Sequence, residues 1–308
     1  MKYNVYIDGQ AGTTGLQLRQ RLEKHNHIHL LLISEELRKD EAERKRLLNA
    51  ADIVFLCLPD EAAKEAVSLV ENPDVCIIDA STAHRTQPDW VYGFPELSAA
   101  HKEAIKSSKR IANPGCHATG FIASVYPLVS LGIVEKDYPF SIHSITGYSG
   151  GGKGMIEEYE NSGRSSFYDS PRQYALGQNH KHLSEMIHIT NITEPPIFCP
   201  IVGDFPQGMA TTITLHQRLL KKEITKAALI SSLKDYYKNT SFIDIVTEES
   251  GFLASNSIVN SNRLLLYIEG NDERMSITAV FDNLGKGASG AAVQNMNIVL
   301  GLHEAEGL

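Results

Sequence analysis

Apolar positions in the first third of the chain fall in short unbroken runs. Tyr3–Asp8, centred on Val5–Ile7, comes first, followed by Ile28–Ile33, Ile53–Leu58 and Val75–Ile78. Runs with no polar alternation read as strands buried on both faces. Between them the spacing becomes helical: Leu16, Leu18 and Leu22 follow a glycine-rich turn, and Ala62–Val70 follows Pro59. Strands alternating with helices predict an α/β, Rossmann-type, doubly wound parallel sheet. Past residue 140 the runs alternate more loosely, at Ser141–Ile145, Pro200–Gly203, Ala210–His216, Leu264–Ile268 and Ser276–Phe281. Glycine-containing loops and two helices, around Lys222–Tyr237 and Gly287–Leu302, join them. This predicts a second α+β domain with a mixed or antiparallel sheet. The expected division is 1–115 for dinucleotide binding and 116–285 for catalysis and oligomerisation, with the terminal helix in 286–308 returning to the first domain.

Composition adds exclusions. With 308 residues, 42% hydrophobic and 21% charged, the chain is of globular type and large enough for two domains. A net charge of -8 with no basic block gives nucleic acid no electrostatic footing. No apolar stretch approaches the ~20 residues of a membrane span, and no basic and apolar leader precedes the first strand. The expected location is cytoplasmic, with no membrane partner. Cysteines at 57, 76, 116 and 199 are too few and scattered for a disulfide framework. Cys57 and Cys76, inside apolar runs, read as small buried hydrophobes, Cys199 as structural, and His25, His27 and His29 as solvated side chains.

Gly9-Gln-Ala-Gly12-Thr13-Thr14-Gly15 joins the first strand to the first helix. Glycines there allow a tight turn and close backbone approach to a pyrophosphate, which the free amides of the helix start then face. The GxxGxxG spacing is less specific than GxGxxG. At the end of the second strand Glu35 suits the ribose hydroxyls of NAD, whereas Ser34 with Arg38 suits the 2′-phosphate of NADP; spacing leaves both open.

Asn113-Pro114-Gly115-Cys116 precedes a helical run through Phe121, Val125 and Leu128. A cysteine at a helix start gains thiolate character from the dipole, which suits a nucleophile. His180 and His182 flank Lys181 and offer an imidazole for proton transfer, with Glu185 placed to orient it. A zinc site built from the His pair and Cys116 lacks further ligands, so no metal is expected. Arg85, past a strand's carboxyl end, carries the planar fork that suits phosphate. Asn113 offers an amide donor, and Lys153 follows the Ser149-Gly-Gly-Gly stretch, a flexible loop whose amides can approach a ligand.

With these stand Cys57-Leu-Pro-Asp60, Asp79-Ala-Ser-Thr-Ala-His-Arg85, Gly147-Tyr-Ser-Gly-Gly-Gly-Lys153, His180-Lys-His-Leu-Ser-Glu185 and Phe281-Asp-Asn-Leu-Gly-Lys-Gly287. In this order the set resembles the N-acetyl-γ-glutamyl-phosphate reductases, in their shorter form, over nearly the whole chain. Compactness and the Ser81–Arg85 stretch depart from the longer form. The resemblance implies a dehydrogenase of the aspartate-semialdehyde and glyceraldehyde-phosphate type that uses NADP in arginine biosynthesis. It makes Cys116 the nucleophile, His182 the acid/base, and Arg85, Asn113, Ser149, Lys153, His180 and Glu185 substrate contacts. It places Gly9, Gly12, Thr13, Thr14, Gly15, Ser34, Arg38, Leu58, Pro59 and Ser81 against the cofactor. Asn283, Gly285 and Gly287 fall on the nicotinamide half. The implied partners are a small acyl phosphate and further copies of the chain, as dimer or tetramer. Rival readings are a reductase of an aspartyl or aminoadipyl phosphate, and an NADP-binding redox sensor without turnover.

Overall fold

A computed structural model describes residues 2–247 and 250–308. The chain divides into two compact units, one running to Pro114 and including Ala288–Leu308, the other Gly115–Gly287.

In chain order the first unit contains β1 (Tyr3–Asp8), α1 (Thr13–Leu22), β2 (Ile28–Leu31), α2 (Glu41–Ala50), β3 (Ile53–Leu56), α3 (Asp60–Ser68), β4 (Cys76–Asp79), β5 (Val91–Tyr92), α4 (Ala99–Ser107) and β6 (Arg110–Ala112). The strands form one parallel sheet ordered β2-β1-β3-β4-β6-β5. Alternate strand residues face opposite sides. Val5, Ile7, Ile53, Phe55 and Ile78 pack with Leu18 and Leu22 of α1, Ile105 of α4, and Val293 and Met296 of the terminal helix Gly290–Val299. Tyr6, Val54, Leu56 and Ile77 pack with Leu47 and Leu48 of α2 and Ala63 and Ala66 of α3. This is the doubly wound arrangement, and strand order reverses between β1 and β3. Ligands bind at the carboxyl ends of the strands at such a point.

Three local readings are corrected. The helix α2 has no counterpart in the apolar pattern, because its buried stripe is only Leu47, Leu48 and the stem of Arg44. Asp40 starts it instead, accepting the Glu43 N–H at 2.8 Å. Leu16 is 42% exposed, since Gly15, Leu18 and Leu22 form the buried face of α1. His25 is buried, its Nε2 lying 3.2 Å from Asn297 Oδ1 on the terminal helix, while His27 and His29 are exposed. Only folding of the last residues onto the first unit covers His25.

The second unit contains α5 (Cys116–Ser130), β7 (Ser141–Gly147), α6 (Gly152–Glu160), β8 (Arg172–Gln173), α7 (Leu183–Thr190), β9 (Ile197–Gly203), β10 (Met209–His216), α8 (Lys226–Tyr237), β11 (Ile243–Val246), β12 (Leu264–Gly270) and β13 (Arg274–Phe281). The sheet order is β11-β12-β13-β10-β7-β9-β8. The β11–β12 and β7–β9 pairs are parallel and the rest antiparallel, a mixed sheet. The nearly fully buried α5 packs on β10 and β13 and against α7. Helices α6 and α7 were not legible in the apolar spacing. The first begins in glycines, which are poor helix formers, and the second inside the His-Lys-His motif. Among the described residues no helix is long and apolar enough to cross a membrane.

Candidate active site

In the first unit the ends of β1, β2 and β3 line a cavity of about 460 Å³ formed by Asp8, Gly9, Gln10, Ala11, Gly12, Ile33, Arg38, Lys39, Arg44, Cys57, Leu58, Ala62 and Glu65. Gly9 has φ +90°, and a Cβ there would stand 2.3 Å from the Cys57 carbonyl oxygen, so no other residue fits. Gly12 donates its N–H to the Gly9 carbonyl at 3.1 Å and caps α1, whose first turn holds Thr13, Thr14 and Gly15. The Thr13 hydroxyl oxygen is buried with no hydrogen-bond partner among the described residues. This glycine cradle, open helix start and unspent hydroxyl fit the pyrophosphate of a dinucleotide.

The cavity floor carries charges that the sequence did not advertise. Arg44, 9% exposed, donates from Nε and Nη2 to Asp8 Oδ2 at 3.2 and 3.0 Å, and from Nη1 to Glu65 Oε1 at 2.9 Å. Burial holds the Asp8 carboxyl above its ordinary range, with Arg44 pulling it down. Arg38 pairs with Glu35 at 2.6 Å on the exposed rim, so the two residues proposed for opposite cofactor choices neutralise one another. Ser34 is exposed and hydrogen bonds Glu36. Pro59 caps α3. Cys57 is half-buried in the cavity wall rather than in the core, because it lies one residue past the end of β3. Desolvation, with the nearby Asp79 and Asp8 charges, pushes its thiol up to about 12.

Further along the sheet, the Ser81 hydroxyl donates to Asp79 Oδ2 at 2.6 Å, and the His84 ring, stacked on Trp90, meets that same oxygen at 2.6 Å. The turn fixes Arg85, which is buried rather than a surface cation. Its Nε donates to the Asn113 carbonyl at 2.9 Å and its Nη2 to the Ala80 carbonyl at 3.0 Å. Asn113 is buried, with Nδ2 donating to the Ala288 carbonyl at 3.0 Å.

In the second unit Cys116 is the first residue of α5, half-buried, behind the extended cap residue Gly115. Gly115 donates its N–H to Glu185 Oε2 at 3.1 Å, which ties the helix start to α7. Glu185 is fully buried. His182 caps α7, and its backbone N–H donates to His180 Nδ1 at 3.1 Å. A turn therefore brings the two rings to 4.7 Å between centroids. Burial, then the Lys181 charge, lowers His180 to about 4, so it is neutral at pH 7 with Nδ1 as acceptor. Gly287 is pinned beside Cys116: a Cβ there would lie 3.0 Å from Cys116 Cβ.

The glycine stretch before Lys153 is helical rather than a flexible loop. Tyr148–Gly151 forms a 3₁₀ turn and Gly152 begins α6, putting exposed Lys153 in its first turn. Asn283 closes this region from below, its Nδ2 donating to Ser149 Oγ at 3.1 Å and its Oδ1 accepting the Gly208 N–H at 2.7 Å. Gly285 and Gly287 lie in a π-helical turn, Gly285–Ser289.

Sequence reasoning missed His117, Ser144 and Thr211, which form a buried hydrogen-bonded chain ending on half-buried Tyr174, and Arg44 with Asp8 and Glu65 in the cavity. His117 was visible as Cys116's neighbour; nothing in the local pattern marked the others. Among the described residues no group of three or more His, Cys, Asp or Glu could hold a metal ion.

Two family models match. A semialdehyde dehydrogenase NAD binding domain covers residues 4–107, and a semialdehyde dehydrogenase dimerisation domain covers 116–283. The fold agrees with solved structures, at a level that bears on fold alone. An aspartate semialdehyde dehydrogenase II from Vibrio cholerae superposes with TM-score 0.71 at 16% identity, covering 97% of this chain and 98% of that one. The enzyme from Francisella tularensis gives 0.72 at 14%, covering 97% and 100%. Sheet, glycine turn and cysteine-headed helix together define the semialdehyde dehydrogenase class, which binds a nicotinamide cofactor. Curated relatives narrow this. N-acetyl-gamma-glutamyl-phosphate reductase 2 of Nostoc sp. is 42% identical, covering 100% of this chain and 99% of its own. The reductase of Burkholderia cenocepacia and reductase 2 of Pseudomonas putida are each 43% identical, covering 98% of both chains. The chain belongs to the N-acetyl-gamma-glutamyl-phosphate reductase family.

Proposed function

We propose that this chain reduces N-acetyl-γ-glutamyl phosphate to N-acetylglutamate semialdehyde in arginine biosynthesis, through a thioester on Cys116 and with NADPH as reductant. The observation that carries the reading is the second-unit cluster. Cys116 sits at a helix start whose cap N–H is fixed by buried Glu185, on the same short helix that His182 caps.

The Cys116 thiolate attacks the acyl carbon, the C–O bond to phosphate breaks, and phosphate leaves with that bonding pair. Arg85, Asn113 and Lys153 are the groups assigned to the substrate's anionic ends. Gly9, Gly12, Thr13, Thr14, Gly15 and Leu58 would hold the cofactor, with Pro59 and Ser81 at neighbouring strand ends. Asn283 acts through Ser149, and Gly285 and Gly287 shape the turn on the nicotinamide side. When bound, the cofactor supplies hydride to the thioester carbon. His182 gives a proton to the developing oxyanion and takes it back as the thiohemiacetal opens to aldehyde and thiolate. The neutral His180 contributes a hydrogen bond to substrate rather than a proton.

Among nicotinamide cofactors NADP is favoured, because Arg38, Lys39 and Arg44 all line the cavity that receives the adenosine half. The chain works as a homo-oligomer in the cytoplasm, consistent with its match to a dimerisation domain.

The test runs the reaction backwards. Purified protein, NADP and phosphate should oxidise N-acetylglutamate semialdehyde in preference to aspartate or aminoadipate semialdehydes. Cys116→Ser should lose turnover and keep NADPH binding, whereas an active Cys116→Ala variant would overturn the mechanism. NADP binding without oxidation of any semialdehyde would favour the sensor reading.

A further inference from the structure

The stretch Gly147–Lys153 carries two of the groups assigned to the substrate, and it holds them on different pieces of backbone. Ser149 is buried in the 3₁₀ turn Tyr148–Gly151, whereas Lys153 is exposed in the first turn of α6. Between them Gly152 has φ +76° and ψ -169°, a conformation essentially confined to glycine, so no side chain at the joint fixes the angle of α6. The segment after β9 holds the start of the stretch: Tyr148 and Ser149 donate their N–H groups to the Phe205 and Pro206 carbonyls at 3.0 and 3.1 Å. It also holds the far end of α6, through Arg164. Nη1 of that residue donates to the Tyr159 carbonyl in the last turn of α6 at 2.7 Å and to Asp204 Oδ1 at 2.8 Å. Nη2 donates to Asp204 Oδ2 at 2.6 Å and to Asp169 Oδ1 at 2.9 Å.

We propose that Arg164 is a positioning residue that acts through Lys153, fixing the helix that presents the lysine to the segment that holds Ser149. The inference rests on the assignment of Lys153 to the substrate and adds two residues, Arg164 and Asp204, that have no role in the reading above. A guanidinium suits this place because its planar fork serves a carboxylate with two N–H groups and still reaches a carbonyl. An ammonium is a compact point charge and cannot match that geometry. The chain also returns Arg164 to the helix it has just left. Asn161, which ends α6, accepts the Gly163 N–H on its side chain at 2.8 Å and the Arg164 N–H on its carbonyl at 3.1 Å.

A second set of contacts meets the same helix end. The buried Tyr159 ring stacks on Tyr148, with centroids 4.9 Å and planes 13° apart. Arg172 of β8 donates from Nε to the Tyr159 hydroxyl at 3.1 Å and lies over the Tyr159 and Tyr168 rings, 4.9 and 3.9 Å from their centroids. The first residue of the 3₁₀ turn and the last turn of α6 are thus joined through their rings as well as through Asp204. The side chains of Arg164 and Asp204 are 22% and 35% exposed, so their ion pair adds little to global stability. What the pair fixes is a direction, and a misplacement of about 1 Å at a substrate contact can cost up to about 10²-fold in rate.

The experiment uses the full chain in the oxidising direction and measures KM separately for N-acetylglutamate semialdehyde, phosphate and NADP, with thermal midpoints alongside. Lys153→Met should raise KM for one of the two substrates, the one whose anion the lysine meets. Arg164→Met should raise that same KM about tenfold, with a smaller change in kcat and none in KM for NADP. Arg164→Lys should recover only part of the loss. Asp204→Asn keeps the side chain's shape, should give the same selective rise in smaller measure, and carries the test where Arg164→Met does not fold. The double variant of Arg164→Met and Lys153→Met should match Lys153→Met alone, because the arginine acts through the lysine. An unchanged KM in Arg164→Met, a rise shared equally with NADP, or effects that multiply in the double variant would overturn the proposal. A merely structural arginine would lower the thermal midpoint and leave the ratio of the KM values in place. If Lys153→Met moves neither substrate KM, the assignment of Lys153 falls and the proposal with it. If Lys153→Met moves one and Arg164→Met does not, the assignment stands and the proposal alone falls.

Discussion

The cofactor cavity and the thiol site solve opposite electrostatic problems. On the proposed reading the cavity receives a polyanion, with full charges and backbone to meet it. Arg38, Lys39 and Arg44 line it, Gly9 and Gly12 bring main chain close, and the buried Asp8 is held by Arg44. The thiol site, on the reading proposed above, keeps one nucleophile reactive, and two of its imidazoles are neutral: His117 and His180 are both pushed well below the ordinary imidazole range by burial. Ion pairs tolerate a passing ligand charge because they are compensated locally. A site that creates and discharges an anion at one sulfur gains from surroundings whose protonation does not change with it. Charged side chains therefore dominate one unit's site, and buried neutral imidazoles mark the other's.

The thiol site is the more sensitive of the two to a single substitution. His182→Asn should reduce kcat roughly 10²–10⁴-fold with a smaller change in KM, the usual size of a lost acid–base step. His180→Asn should act mainly on KM, since that ring is neutral and hydrogen bonds rather than titrates. Steady-state kinetics would show the assignment inverted if the two phenotypes exchanged.

Breaking the first half should be visible in stability. Arg44→Met leaves the Asp8 carboxylate buried without its partner, which costs about 3–5 kcal/mol in comparable pairs. Denaturant unfolding should show this loss, together with weaker dinucleotide binding for both NADP and NAD. Adding Asp8→Asn should recover most of the stability; a double variant as weak as the single would show that the pair is not the cause.

A third test uses pH on the neutral imidazoles. His117 sits at about 3 and His180 at about 4, against about 6.5 for a free ring, so the unfolded chain binds more protons in that interval. Stability is therefore full above pH 6.5 and falls as pH drops towards 4. For the buried His117 the limiting slope is about 1.4 kcal/mol per pH unit. Thermal midpoints measured from pH 7.5 to 4.5 check the sign, and His180→Asn should flatten part of the decline.

On the cavity rim a substitution should cost less. Arg38 is half-spent on exposed Glu35. Arg38→Ala should therefore lower the preference for NADP over NAD about tenfold, equivalent to about 1.4 kcal/mol. Glu35→Gln should raise that preference. Competition kinetics with the two cofactors decides it, and an unchanged ratio in both variants would assign the choice to Lys39 or Arg44.

Features that repeat locally or are built from backbone were legible in the amino-acid order. Unbroken apolar runs specify strands covered on both faces, a glycine turn after the first of them specifies the cavity's close approach, and Asn-Pro-Gly-Cys before an apolar run specifies a thiol at a helix start. These signals lie within one stretch of chain, where periodicity, propensity and turn chemistry act. Tertiary structure alone decided which polar residues meet. Arg44 sits on a helix with almost no apolar stripe, and it is held in the cavity wall because β1 and α3 bring Asp8 and Glu65 to it. His25 is buried by residues at the far end of the chain, and Tyr174 reaches His117 across 57 positions. The physical reason is that a buried polar group is stabilised by its partners rather than by its own propensity, and those partners are chosen by sheet order and helix packing.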